Sequence, residues 1–90
     1  MKARSLIQSS DFYVEEMEEE ILLYKAGSHK AIYLNESAAL VWKLCDGTKT
    51  AQDIFDILSE NFPDAGGGLA HEIEQAVEML LTEGALSAEA

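Results

Sequence analysis

Apolar and polar positions follow two different periods along this chain, and the change falls near Asn35. Before it, Phe12-Tyr13-Val14 opens an aromatic and β-branched run that ends in acids. Ile21-Leu22-Leu23-Tyr24 is apolar on both faces, and Lys30-Ala31-Ile32-Tyr33-Leu34 alternates. Short runs of this kind, bounded by turn residues, predict strands. Ala26-Gly27-Ser28-His29 separates the second run from the third, and Gly27 takes a positive φ without steric cost. The first third of the chain is therefore expected to form three short antiparallel strands, with residues 1–11 polar and loosely held.

Helical spacing follows. Asn35, or Ser37 as the alternative, is an N-cap, and Ala38, Val41, Trp42 and Cys45 recur at helical steps. Gly47 is expected to end this helix after Asp46. Thr50 followed by Asp53 predicts a capping pair, and Ile54, Phe55, Leu58 and Phe62 form the buried stripe of a second helix. Residues 63–68, Pro-Asp-Ala-Gly-Gly-Gly, cannot continue it and are read as a flexible loop. A third helix is expected from Leu69 to Glu83, capped by Gly84. The fold class is α+β: a three-stranded antiparallel sheet followed by three helices, in one domain over residues 1–90.

Two features carry more apolar or unpaired surface than this core needs. On a helical wheel, Leu69, Ile73, Ala76 and Leu80 form one seam of the last helix, and Ala70, Val77 and Leu81 form a second, with Glu74 on its rim. The two cover roughly 140°, against the ~100° of an ordinary amphipathic stripe. The bland reading is a well-buried terminal helix; the functional one is that the second seam lines a groove for a partner. In the third strand, Ile32 and Leu34 share the face opposite Ala31 and Tyr33. If this strand lies at a sheet edge, its free N–H and C=O groups can pair with an extended peptide, or with a second copy to give a homodimer.

Composition removes several alternatives. Acids outnumber bases 17 to 6 in 90 residues, for a formal charge of −11, and such a surface repels polyanions. The single cysteine, Cys45, excludes an internal disulfide and fits a reducing compartment. No segment approaches the ~20 apolar residues of a membrane span, and residues 1–8 lack the apolar run of a signal peptide. A cytoplasmic protein is expected. His29 and His71 have no partner at metal-ligand spacing. Cys45 lies on an apolar helix face without a nearby base, and Gly66-Gly67-Gly68 lacks the lysine of a phosphate loop. Neither catalytic residues, metal nor cofactor are expected.

Leu34-Asn35, Ala38-Ala39, Val41-Trp42, Leu44, Asp46-Gly47, Thr50, Ile54 and Leu58, in this order, resemble the PqqD family, named for coenzyme PQQ synthesis protein D. Its fold is also called the RiPP recognition element. The resemblance spans residues 20–86 and implies a winged helix-turn-helix-like domain that is not an enzyme. Such domains bind the leader of a ribosomally made precursor peptide and present it to a modifying enzyme, often a radical SAM protein. The leader adds beside the third strand and packs on the third helix. Carried over, this implicates Lys30, Ala31, Ile32, Tyr33 and Leu34 with Ala70, Ile73, Glu74, Val77 and Leu81. PQQ-pathway members usually have a Pro-Glu pair where this chain has residues 26–30, Ala-Gly-Ser-His-Lys, so PQQ and other peptide pathways both stay open. The competing functions are a DNA-binding winged helix-turn-helix, which the acidic helices oppose, and an accessory subunit that binds protein alone.

Overall fold

The computed structural model describes residues 4–65 and 67–88. Its strands are β1 (Leu6–Gln8), β2 (Phe12–Met17), β3 (Glu20–Lys25), β4 (Ala31–Leu34), β5 (Asp46–Lys49) and β6 (Leu86–Ala88). Its helices are α1 (Glu36–Leu44), α2 (Ala51–Asn61) and α3 (Gly68–Thr82), with a 3-10 turn at Pro63–Ala65. The strands β2, β3 and β4 form the expected antiparallel meander, in the order β2-β3-β4.

A second three-stranded sheet, ordered β5-β1-β6, corrects the sequence reading in three places. Leu6–Gln8, expected to be loose, is the central strand; its Leu6 is buried, paired to Lys49 on one side and Ala88 on the other. The expectation for residues 1–3 lies outside the described residues. Asp46-Gly47, expected only to punctuate a helix, begins β5. The register against β1 jumps from Leu6↔Lys49 to Ile7↔Asp46, so Gly47 and Thr48 form a bulge. Gly47 has φ +93°, and a Cβ there would lie 3.3 Å from Ile7 Cδ1. The Asp46 carboxylate closes the bulge by accepting from Thr48 Oγ1 (2.6 Å), Lys49 Nζ (2.9 Å) and Thr48 N (3.0 Å). These bonds, led by the Thr48 hydroxyl, hold its carboxyl well below the usual range. Leu86–Ala88, given no element from sequence, is the third strand; three residues are too short to show a period.

The helix boundaries follow their capping chemistry. Asn35 Oδ1 accepts from Ala38 N at 3.0 Å at the head of α1. Thr50 and Asp53 form a reciprocal capping box on α2, with bonds of 3.1 and 2.9 Å. After α3, Gly84 adopts φ +80°, and Gly84 N and Ala85 N bond back to Leu81 O (3.2 Å) and Leu80 O (2.8 Å). This is a Schellman closure, with buried Leu80 and Ala85 as its apolar pair.

One core joins both sheets and all three helices: Leu6, Ile21, Leu23, Leu34, Val41, Trp42, Cys45, Ile54, Leu58, Ile73 and Leu80 are among its members. Phe62 departs from the expected stripe of α2; as the residue after the last turn it is 43% exposed. Cys45 is wholly buried, with Sγ 3.1 Å from Val41 O, and burial pushes its thiol up to about 12.

Gly47→Ala should cost about 1–2 kcal/mol in urea unfolding, from the positive φ and the Ile7 contact. Gly67→Ala should cost nothing, because Gly67 has φ −72° and open space around it. The Cys45 thiol should resist an aromatic disulfide reagent in the folded protein and react once unfolded. Its pKa is raised on folding, so its neutral form favours the fold below the ordinary value near 9, and stability should fall as pH climbs from there towards 12.

Candidate peptide-binding groove

β4 pairs with β3 through Ile21↔Leu34, Leu22↔Tyr33, Leu23↔Ile32 and Tyr24↔Ala31, and among the described residues no strand lies on its other side. It is therefore an edge whose outer N–H and C=O groups are open to pairing. Alternation fixes its faces: Ile32 is half-buried and Leu34 fully buried inwards, while Ala31 and Tyr33 point out, Tyr33 being 55% exposed. The Glu20 carboxylate beside the Tyr33 hydroxyl raises the phenol's pKa.

The helix opposite this edge is α3. It packs mainly on α1, α2 and β6, and the cleft between it and the free edge of β4 is the candidate groove. Lys30 Nζ, just before β4, meets Glu83 Oε1 at 3.0 Å just beyond the end of α3. At the other end of the groove, Asn35, Ser37 and Ala38 share a cavity with Glu72, Gln75, Ala76 and Met79. The helix thus runs antiparallel to β4 and presents to it the flank Glu72, Gln75, Ala76, Met79 and Glu83. Ala38, Ala76 and Met79 give this groove an apolar floor, and Glu72 and Glu83 an acidic rim.

The sequence-predicted residues divide accordingly. Ala31, Ile32, Tyr33 and Leu34 form the free edge strand and Lys30 precedes it, with the Leu34 side chain fully buried. Ile73 and Val77 are buried in the core. Ala70 and Glu74 are exposed and line a small pocket with Ala51, Gln52 and Phe55 of α2. Leu81, 38% exposed, shares their flank. This flank lies roughly half a turn around α3 from Met79 and Glu83. The structure therefore does not bring Ala70, Glu74 or Leu81 to β4. Periodicity locates the core seam of a helix but treats its two flanks alike. Only the position of α3 across α1 selects the flank that faces the strand. The one hint in the sequence was Met79, an apolar residue on that flank.

Other chemistry is sparse here. His29 and His71 are both exposed, and no three His, Cys, Asp or Glu among the described residues gather as a metal site. Neither α2 nor α3 contains a Lys or Arg. No helix of the described residues is long and apolar enough to cross a membrane.

Comparison with known proteins gives three kinds of likeness. The chain is similar to a PqqA binding protein of Rahnella aquatilis, 45% identical over 47 residues, or 52% of this chain and 46% of that one. It is also similar to PqqA binding proteins of Klebsiella pneumoniae strain 342 (42% over 50 residues, 56% and 51%) and Acinetobacter baylyi (47% over 47 residues, 52% and 44%). The matched segment spans about half the length of these relatives. Among solved structures, TbiB1 in complex with the TbiA(beta) leader peptide superposes with a TM-score of 0.75 at 14% identity, over 93% of this chain and 98% of that one. A heterocyclase in complex with substrate and cofactor gives 0.67 at 21% identity, over 97% of this chain and 11% of that one. These structural likenesses establish a shared fold. The profile of Coenzyme PQQ synthesis protein D (PqqD) matches residues 20–86, which spans β3 to the start of β6, and on that match the chain belongs to the PqqD family.

Proposed function

We propose that this protein is a non-catalytic peptide-binding module that captures the leader of a ribosomally made precursor peptide and presents it to a modifying enzyme. The observation that carries the reading is the open edge of β4 facing a groove with an apolar floor. An extended peptide adds there as a fourth strand: main-chain bonds to β4 supply affinity, and alternate side chains enter the groove for specificity. The PqqA binding proteins among its relatives, and the leader peptide bound to the structurally similar TbiB1, support a peptide of this class. The modifying enzyme is a radical SAM protein, in PQQ or another peptide natural-product pathway.

Along the groove, Ala38, Ala76 and Met79 receive apolar leader side chains, and Glu72 and Glu83 favour a leader with basic residues. The Lys30–Glu83 pair is exposed, so opening it costs about 0–1 kcal/mol and does not obstruct entry. A non-catalytic role accords with the Cys45 thiol, which is buried and held protonated. The same free edge admits a second copy of the chain, but two partners each carrying −11 repel one another. A DNA-binding role finds no support in α2 and α3, which lack Lys and Arg.

Titration of isotope-labelled protein with a PqqA-type leader should shift the amides of Ala31, Ile32, Tyr33, Leu34, Ala76 and Met79. Met79→Ala should weaken binding about tenfold. Leu81→Ala, on the far flank of α3, should leave it unchanged. Equal losses in the two variants, or leader shifts confined to the flank of Ala70 and Leu81, would falsify this placement.

A further inference from the structure

A sheet with one face in a core ordinarily turns polar side chains to water on the other. The outer face of β2-β3-β4 does so only at Glu15 and Glu20. Its register sets Tyr13, Tyr24 and Ala31 in one row and Glu15, Leu22 and Tyr33 in the next. Tyr13 is 67% exposed, Tyr24 36% and Tyr33 55%. At ordinary strand spacing the two rows and their margins cover roughly 10 by 14 Å. Tyrosine suits strands, but strand preference is equally met by threonine, and no Thr, Ser, Lys or Arg occupies an outward position on these three strands.

We propose that this face is a second interaction surface, for a folded protein that presents arginines among apolar side chains. Three rigid aromatics around a leucine lose little conformational entropy on burial, and tyrosine is enriched at binding hot spots. Charge fixes the chemistry of the partner. The acids at outward positions are Glu15 and Glu20, and Glu18 and Glu19 form the adjoining turn. In that turn a side-chain hydrogen bond with Glu36, and then the charge of Glu36, raise the pKa of Glu19. A guanidinium can stack on a tyrosine ring while its fork takes a neighbouring carboxylate, which an ammonium cannot do as well. The same field disfavours a second copy of this chain, a nucleic acid or an anionic membrane. A leader added beside β4, the reading above, extends this face by one strand, but docking here does not require it.

The test uses tetra-arginine amide as probe, with tetra-lysine amide as its charge-matched control, titrated into the labelled 90-residue protein at low salt. Tetra-arginine should shift Tyr13, Leu22 and Tyr24 most, and bind about two- to fivefold tighter than tetra-lysine. The double variant Tyr13→Thr/Tyr24→Thr should abolish that preference while its leader affinity stays that of the unaltered protein. Equal binding of the two probes, or shifts centred on the acids of α2 and α3 or on the β4 groove, overturns the proposal. The comparison of probes needs no variant, so a folding defect in the double variant leaves it decisive. Leader binding without arginine preference sinks this surface alone; arginine preference without leader binding sinks the groove alone.

Discussion

The packing of α3 is the constraint on which the rest of this structure depends. Its core seam of Leu69, Ile73, Ala76 and Leu80 is buried, and the helix lies against α1, α2 and β6. That packing sets α3 beside β4 with one flank turned towards it. Were α3 closer, it would cover the free edge of β4; were it further away, Ala76 and Met79 would no longer reach the space beside the strand. Loss of a buried Leu or Ile from this seam costs about 2–5 kcal/mol, a large part of what a domain of this size possesses. The groove is thus maintained mainly by residues that do not line it, Ala76 alone belonging to both seam and floor.

The second sheet secures the same arrangement from the other side. Its central strand, β1, pairs with β5 between α1 and α2 and with β6 beyond α3. Gln8 extends this role: its Nε2 donates to Trp42 O at 2.8 Å and its backbone N–H to Cys45 O at 3.1 Å. Ser9 N reaches Ala85 O at 2.8 Å, just past the Schellman closure of α3. Three short strands therefore tie the exits of α1 and α3 to the start of the described chain. Each would be marginal alone, and each is stabilised because the others and the core are in place.

Electrostatics organise the surface rather than the interior. No charged group is buried among the described residues, and the ion pairs Lys30–Glu83, Lys43–Glu16 and Lys49–Asp46 are surface contacts. Such pairs contribute little to stability. Their effect is to leave a large excess of carboxylates unpaired, which speeds encounter with basic partners and deters acidic ones. The groove and the tyrosine face meet at β4, so one short strand borders both.

Much of this was legible in the sequence because it is local. Period two before Asn35 and period 3.6 after it, the caps Asn35, Thr50–Asp53 and Gly84, and the inward face of Ile32 and Leu34 all depend on neighbours within a few residues. The ordered residues from Leu34 to Leu58 were enough to indicate the family. Three things were decided only by the tertiary structure. Leu6–Gln8, Asp46–Lys49 and Leu86–Ala88 are strands because each meets a partner far away in sequence, and segments of three or four residues have no period to declare it. Phe62 is exposed because α2 ends before the core reaches it. The flank of α3 that faces β4 is that of Met79 rather than Leu81, because side-chain period sets which residues are buried, whereas the crossing of α3 over α1 sets which of the two remaining flanks looks towards the open strand.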